Sequence, residues 1–251
     1  MKKTTSRDGT TIAFDQTGQG APVILVMGAF NDRTTGAPLS AYLARRFTVI
    51  AYDRRGRGDS GDAATYAIDR EIEDLDAVIQ AAGGAAAVFG YSSGALLALA
   101  AAARGLAITR LALYEAPPAQ PAEHAQALAS LVAAGRRGDA VEYFQRRMVG
   151  IPDEVVAQLR HAPFRPALEA MAHTLIYDAT IVADGRITAA LAEVRQPALA
   201  IAGDAGAPVM RKVAETLAAR LPGGRAVTIA GATHHIEPAL LGPELERFLD
   251  G

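Results

Sequence analysis

The stretch Ala87-Val88-Phe89-Gly90-Tyr91-Ser92-Ser93-Gly94-Ala95-Leu96-Leu97-Ala98-Leu99 leaves the chain little freedom in how it folds. An apolar run enters a Gly-x-Ser-x-Gly pentad and leaves it as an Ala/Leu-rich segment, which reads as a buried strand bent sharply into a helix over 92–104. Such a bend forces the residues two places either side of the serine close together, so side chains there would collide and glycine is needed. The bend lifts the Ser92 hydroxyl clear of the backbone and sets the positive end of the helix beneath it. Tyr91 flanks that hydroxyl, and the backbone N–H of Ser93 points to where an oxyanion would form. The pentad by itself is a weak signal; the strand before it and the helix after it give it weight.

The rest of the chain is long enough to bury a large core around that bend. Its 251 residues are 50% hydrophobic and 21% charged, which suits one large globular domain or two small ones. The net charge of −2 gives no electrostatic reason for a nucleic-acid or membrane partner, so a small-molecule substrate is the expected partner. There is no cysteine, which excludes disulfides, thiolate nucleophiles and Cys-bound zinc and fits a reducing compartment. Met1-Lys2-Lys3 runs into polar Thr4-Thr5-Ser6-Arg7 without an apolar signal segment, and the most apolar run, 95–103, is too short for a bilayer. The expectation is a cytoplasmic protein. Nothing in the sequence bears on its oligomeric state.

Along the chain, Thr4–Ser6 and Thr10–Thr17 read as a hairpin turned by Asp8-Gly9. Pro22–Met27 and Phe47–Tyr52 are continuous apolar runs typical of strands buried on both faces. Pro38–Arg46 is a short amphipathic helix, and Ile68, Ile72, Leu75, Val78 and Ile79 recur at helical spacing between 66 and 82. Ile108–Tyr114 is a further strand. From about 121 to 192 only helical pieces follow, divided at Gly135, Gly150-Ile151-Pro152, Ala162-Pro163 and Asp184-Gly185. Strand and helix then alternate again: strand Pro197–Ala202, helix 208–220, strand Arg225–Ala230 and a last helix near 237–249. The alternation predicts an α/β fold, a mostly parallel central sheet flanked by helices. Residues 1–118 and 193–251 would form its core, and 119–192 a helical cap over the sheet's C-terminal edge.

Taken together these segments resemble the α/β-hydrolase fold family over nearly the whole chain. The resemblance is carried by Val23–Gly28, by Asp53-Arg54-Arg55-Gly56-Arg57-Gly58-Asp59-Ser60, by Gly90-Tyr91-Ser92-Ser93-Gly94 and by Gly231-Ala232-Thr233-His234, in the family's order. It implies Ser92 as nucleophile, His234 as general base and the backbone N–H groups of Ala29 and Ser93 as oxyanion donors, with Phe30 and Tyr91 lining the substrate pocket. Where the family usually has a histidine before its oxyanion glycine, this chain has Met27. It also departs from the family's Gly-x-x-Asp after the strand 197–202, since Gly203-Asp204-Ala205-Gly206 puts glycine at the acid position. Asp204 could supply the carboxylate from two residues earlier. Glu115, at the end of an apolar strand, is the alternative and the one favoured here, because a carboxylate there is costly to bury without a purpose.

Other readings stay open. His235 competes with His234, which the Gly-x-x-His spacing selects. His124, His161 and His173 lie at no metal-ligand spacing, and His173 is a candidate for the pocket wall. The resemblance gives Asp53 and Arg54 the part of ordering the turn after 47–52 and no catalytic role, while the arginines of the glycine-rich segment that follows read as a solvated loop. Gly56-Arg57-Gly58-Asp59-Ser60-Gly61 lacks the apolar helix that a dinucleotide fingerprint requires, so no cofactor is expected. Phe144, Met148, Phe164, Leu168, Met171, Leu175, Ile176 and Tyr177 are shared between a small apolar pocket and the cap's own core. The reaction expected is cofactor-independent serine hydrolysis of an ester or related acyl bond. The rivals are a ligand-binding protein that has lost catalysis, and lyase or isomerase chemistry in the same pocket.

Overall fold

Residues Val23, Leu25 and Met27 point into one core and Ile24 and Val26 into another, so strand β3 (Pro22–Val26) is buried on both faces, as its unbroken apolar sequence predicts. The computed structural model describes all residues from Met1 to Gly251. The other strands are β1 (Lys2–Thr5), β2 (Thr11–Thr17), β4 (Thr48–Tyr52), β5 (Ala86–Tyr91), β6 (Ile108–Tyr114), β7 (Ala198–Gly203) and β8 (Gly224–Ile229). They form one eight-stranded sheet in the order β1-β2-β4-β3-β5-β6-β7-β8. β1 and β2 pair antiparallel at one edge, and every pairing from β4 to β8 is parallel. The C-terminal ends of β3 and β5–β8 therefore share one edge, where a site in such a sheet assembles.

Helices cover both faces. α1 (Ala37–Leu43) and α11 (Pro238–Asp250) pack on one side through Leu39, Leu43, Leu241 and Leu245. On the other lie α2 (Ile68–Ala81), α3 (Ser93–Ala103) and α10 (Pro208–Arg220), through residues such as Leu75, Leu97 and Leu217. Helix α3 is apolar all round because it is covered all round: of its residues only Ala103 is not fully buried.

Between β6 and β7 the chain is wholly helical: α4 (Glu123–Ala133), α5 (Arg137–Tyr143), a π-helical turn (Phe144–Val149), α6 (Asp153–Leu159), α7 (Arg165–Ala170), α8 (Leu175–Ala183) and α9 (Gly185–Ala189), with short 3₁₀ turns. This insertion has a small core of its own around Leu128, Val141, Phe144 and Leu175. Its last helices do not stand apart, because Ile181, Val182, Ile187 and Leu191 join the larger core beside α3. Helix α8 thus belongs to both.

The elbow's glycines are constrained as the sequence implies. A Cβ on Gly90 would lie 2.6 Å from Ala95 Cα, and one on Gly94 would overlap the Val26 carbonyl oxygen. Gly185, the first residue of α9, has open space around its Cβ position. Gly94→Ala is expected to cost at least about 3 kcal/mol by forcing β3 and α3 apart. Gly185→Ala should leave stability unchanged or raise it by up to about 1 kcal/mol. Urea midpoints at constant m-value compare the two.

Candidate active site

Ser92 sits between β5 and α3 at φ 56°, ψ −127°, a conformation that costs a non-glycine residue roughly 1–3 kcal/mol. Its surroundings hold it there. The Ser92 N–H donates to the Tyr114 carbonyl at 2.9 Å, its own carbonyl accepts the Ala95 N–H at 2.9 Å, and a Cβ on Gly28 would come within 2.8 Å of Ser92 Cβ. Only two other non-glycine residues have positive φ, Phe30 (61°) and Glu115 (51°). Each follows a parallel strand, β3 and β6, and with Ser92 they border the same cavity.

Glu115 is buried at the end of β6, 1% exposed. Its N–H donates to the Ile201 carbonyl at 2.9 Å, and its Oε1 accepts the Gly203 N–H at 2.8 Å, so the end of β7 holds one carboxylate oxygen. The other, Oε2, lies 3.3 Å from His234 Nδ1. His234 follows β8 in the turn Gly231–His234, and the Tyr114 hydroxyl secures that turn by reaching the Thr233 carbonyl at 2.5 Å and the His235 carbonyl at 3.2 Å. Burial, with Glu115 nearby, pushes the Tyr114 phenol well above its ordinary pKa, so it remains a donor. The Tyr91 ring stands 5.0 Å from the imidazole, centroid to centroid. Asp204, the alternative carboxylate, accepts the Gly231 N–H at 2.7 Å and makes no hydrogen bond or ion pair with His234. A Cβ on Gly206 would be 3.7 Å from the His234 backbone, so the position that usually carries the acid lies beside the imidazole turn, without a carboxylate.

Beneath this group lies a charged layer that the sequence reading missed. Arg54, expected to order the turn, and Arg55 and Arg57, expected in a polar solvated loop, are 2%, 1% and 2% exposed. Each is buried because it finds carboxylates: Arg54 pairs with Glu71 through Nε and Nη2 (both 2.6 Å) and with Asp178 (2.7 Å), and Arg57 pairs with Asp178 (2.6 Å). Arg55 pairs with Asp74 through Nε and Nη2 (both 2.7 Å) and with Asp8 (3.0 Å). Asp178, on α8, also accepts the Ser93 hydroxyl at 2.6 Å. Arg57 Nη1 donates to the Gly28 carbonyl (2.5 Å) and the Asn31 carbonyl (3.2 Å), while Arg54 Nη1 reaches the Met27 carbonyl (3.2 Å). One carboxylate of the insertion is thereby joined to the elbow and, through two arginines, to the loop after β3. Although burial opposes it, the attraction of Arg57 and Arg54 holds the Asp178 carboxyl below the usual carboxylate range. Burial and the neighbouring Arg54 lower the Arg57 pKa, with Asp178 opposing. Asp53 behaves as a turn-ordering residue, accepting the Arg33 N–H at 2.7 Å and the Asp59 N–H at 2.9 Å.

The cavity over Ser92 has a volume of about 490 Å³. Its wall includes Ala29, Phe30, Tyr91, Ser93, Glu115 and His234, so the residues singled out in the sequence converge on one space. His235 is also on that wall, exposed. Of the apolar insertion residues singled out in the sequence only Phe144 and Met148 border it, joined there by Val149, Ile151 and Val182, and Phe144 meets Phe30 edge to face at 5.3 Å. Leu175, Leu168 and Ile176 pack in or against the insertion's own core, and Phe164 is 51% exposed. Tyr177 stacks on Tyr66 at 4.0 Å, outside the cavity. His173 is not on the cavity wall either; its Nε2 lies 3.4 Å from Asp62, whose carboxylate binds the Tyr177 hydroxyl. His124 bonds the Tyr143 hydroxyl at 2.9 Å. No group of three or more His, Cys, Asp or Glu side chains is arranged to hold a metal ion, and no helix is long and apolar enough to cross a membrane.

Residues 23–244 match a family model described as the alpha/beta hydrolase family. An alpha/beta hydrolase from Sphaerobacter thermophilus is 50% identical, with a TM-score of 0.91 over 98% of this chain and 99% of that one. A thermophilic esterase from Thermogutta terrifontis, solved with malate bound, is 25% identical with a TM-score of 0.75, covering 98% of this chain and 95% of its own. An enol-lactonase from Burkholderia xenovorans shares the fold at 24% identity and a TM-score of 0.78, over 100% of both chains. Among curated proteins no match is found.

Asp178→Asn is expected to cost about 3–5 kcal/mol, because it leaves two buried guanidiniums short of a counter-charge. The carboxyl binds its proton less readily folded than unfolded. Its stabilisation is therefore complete above about pH 4 and is lost as pH falls through the depressed folded value. Urea unfolding between pH 7 and pH 3 should show a shallower acid loss in Asp178→Asn than in the unmodified protein.

Proposed function

Since the chain belongs to the alpha/beta hydrolase family, we propose that it is a cofactor-independent serine hydrolase, cleaving an ester or related acyl bond of a small, largely apolar molecule through an acyl-enzyme. The observation that carries this reading is the Glu115 carboxylate, buried and 3.3 Å from His234 Nδ1, in a cavity whose wall also holds Ser92.

A serine hydroxyl is a poor nucleophile until a base takes its proton. With Nδ1–H donated to Glu115, the His234 imidazole keeps its Nε2 lone pair for Ser92. Glu115 then stabilises the imidazolium that forms as Ser92 Oγ attacks the acyl carbon. The proton held on Nε2 passes to the leaving alkoxide, releasing the alcohol. Water, deprotonated in turn by His234, hydrolyses the acyl-serine and regenerates the hydroxyl. In this reading Glu115 takes the part expected of an aspartate at position 206, reaching the imidazole from the adjacent strand.

The tetrahedral intermediate needs fixed donors for its oxyanion, each worth about 3 kcal/mol. Ser93 opens α3, where first-turn N–H groups have no partner within the helix. The Gly28–Ala29 peptide is trans, so its N–H points opposite to its carbonyl. That carbonyl is bonded to buried Arg57, which turns the Ala29 N–H away from the arginine layer. The buried charges thus serve the proposed oxyanion site by fixing the peptide that forms it. Substrate class follows the cavity and the precedent of the Thermogutta esterase: Phe30, Tyr91 and Phe144 offer apolar surface beside Ser92, suited to an ester or lactone.

A fluorophosphonate probe should label the unmodified protein and leave Ser92→Ala unlabelled; absence of labelling in a folded protein would overturn the reading. In an aryl-ester assay Glu115→Gln is expected to lower kcat about 10²- to 10⁴-fold. Asp204→Asn should keep most activity, and its selective loss would reassign the acid.

A further inference from the structure

The cavity wall carries little charge. Among its side chains Glu115, His234 and His235 can ionise, as can the Tyr91 phenol, which burial pushes well above its ordinary range, and no lysine or arginine borders the space. The guanidiniums close by are turned into the layer beneath and consumed by Glu71, Asp178, Asp74 and backbone carbonyls. A substrate carboxylate entering here would meet Glu115 and no compensating cation.

Several polar side chains of the wall are engaged within the protein. Asn31 donates to the Ala29 carbonyl at 2.5 Å, Gln120 to the Met148 carbonyl at 2.9 Å and Ser93 to Asp178 at 2.6 Å. Gln145 is different. It is 4% exposed, it borders the cavity, and its amide oxygen is buried without a hydrogen-bond partner. Several other side chains hold a buried unpartnered polar atom, but none of them is on this wall. Buried polar groups are almost always paired in folded proteins, so Gln145 brings to this wall a side chain whose hydrogen-bonding capacity no protein atom satisfies.

The local backbone explains its position. Residues 144–149 form a π-helical turn, a geometry found often at functional sites, and Phe144, Gln145, Met148 and Val149 all border the cavity. The Gln145 carbonyl accepts the Ile151 N–H at 2.9 Å and the Gly150 N–H, which closes the turn and fixes the residue. Phe144, Met148 and Val149 of the same turn also border the cavity, so Gln145 is the polar residue of a largely apolar stretch of the wall.

We propose that Gln145 is a specificity residue, and that the cavity takes an uncharged acyl compound carrying one neutral hydrogen-bonding group, a hydroxyl or amide, which this side chain reads. The proposal rests on the serine-hydrolase reading for the scissile bond, but the selectivity it describes is a property of the wall.

The test uses phenyl esters of four to eight carbons ending in methyl, hydroxymethyl or carboxylate, with the same three ends carried in turn on the acyl and the alcohol side. The unmodified protein should show its highest kcat/KM for a hydroxymethyl member and at least about tenfold less for the matched carboxylate. Gln145→Met, close in shape, should lower kcat/KM about ten- to a hundredfold on the best hydroxymethyl ester, mainly through KM, and leave the methyl series within about threefold. A carboxylate preference in the unmodified protein, or an equal loss on both neutral series in a Gln145→Met protein of unchanged melting temperature, would overturn the proposal. If no ester turns over and the fluorophosphonate does not label Ser92, the hydrolase reading falls instead. Calorimetric binding of the same three ends to the unmodified protein then decides: tightest binding of the hydroxymethyl compound supports the role of Gln145, and tightest binding of the carboxylate or no discrimination removes it.

Discussion

The Asp178 carboxylate is the junction on which the rest of the site depends. It is fully buried, and it receives donors from Arg54, Arg57 and Ser93 while itself belonging to α8 of the helical insertion. Around Asp178 the layer holds two guanidiniums, Arg54 and Arg57, and two carboxylates, Asp178 and Glu71 of α2, so the formal charge of that part closes to zero. Such a cluster adds little net stability compared with an apolar core of the same volume, yet it is intolerant of losing one member. It therefore acts as a registration device. The insertion, the loop after β3 and the elbow after β5 can satisfy these hydrogen bonds together in one arrangement only.

That constraint bears on the strained backbone. Phe30, Ser92 and Glu115 each hold a positive φ that non-glycine residues avoid, and strain of this kind persists only where neighbours over-determine it. At Ser92 the neighbours are Gly28, Gly90 and Gly94, which let β3 and α3 come within van der Waals contact of the turn. At Glu115 they are the Ile201 carbonyl and the Gly203 N–H at the end of β7. Phe30 is held by Phe144 from the insertion, in a loop whose flanking carbonyls are bonded to Arg57. The strain sits where side chains must project from the sheet edge into one space, and its cost is spread over the packing of three strands.

Much of this was legible in the sequence because it is local. The elbow is a run of adjacent residues, strand and helix periods are short-range patterns, and β6 and α10 fall where Ile108–Tyr114 and 208–220 predicted them. Glu115 could be favoured over Asp204 because an isolated carboxylate ending an apolar strand is costly without a partner, and that partner is His234. The arginines failed for the opposite reason. Arg54 and Arg57 read as polar-turn residues until their counter-charges are known, and Asp178 lies more than a hundred positions along the chain, in the helical insertion. Gln145 was invisible in the same way: in sequence it is an ordinary polar residue between Phe144 and Arg146, and only the π-helical turn brings it to the cavity. A weak signal existed for Tyr114, since a tyrosine ending a buried strand needs a partner for its hydroxyl, and the turn holding His234 supplies one.

The two layers divide the electrostatics between them. Charge is concentrated below the elbow, where rigid ion pairs fix peptide groups without entering the cavity, and the cavity is left with one carboxylate already shared between His234 and Gly203. If Ser92 reacts as proposed, the field of the helix α3 N-terminus and of oriented N–H groups acts in a space with little competing charge, so fixed dipoles would carry most of the stabilisation of the developing oxyanion. An arginine on the wall would add a stronger but less directed field and would draw carboxylates into the site. Keeping the guanidiniums beneath it lets their orientation matter while their charge does not, which is how this fold arranges a polar reaction centre under an apolar binding wall.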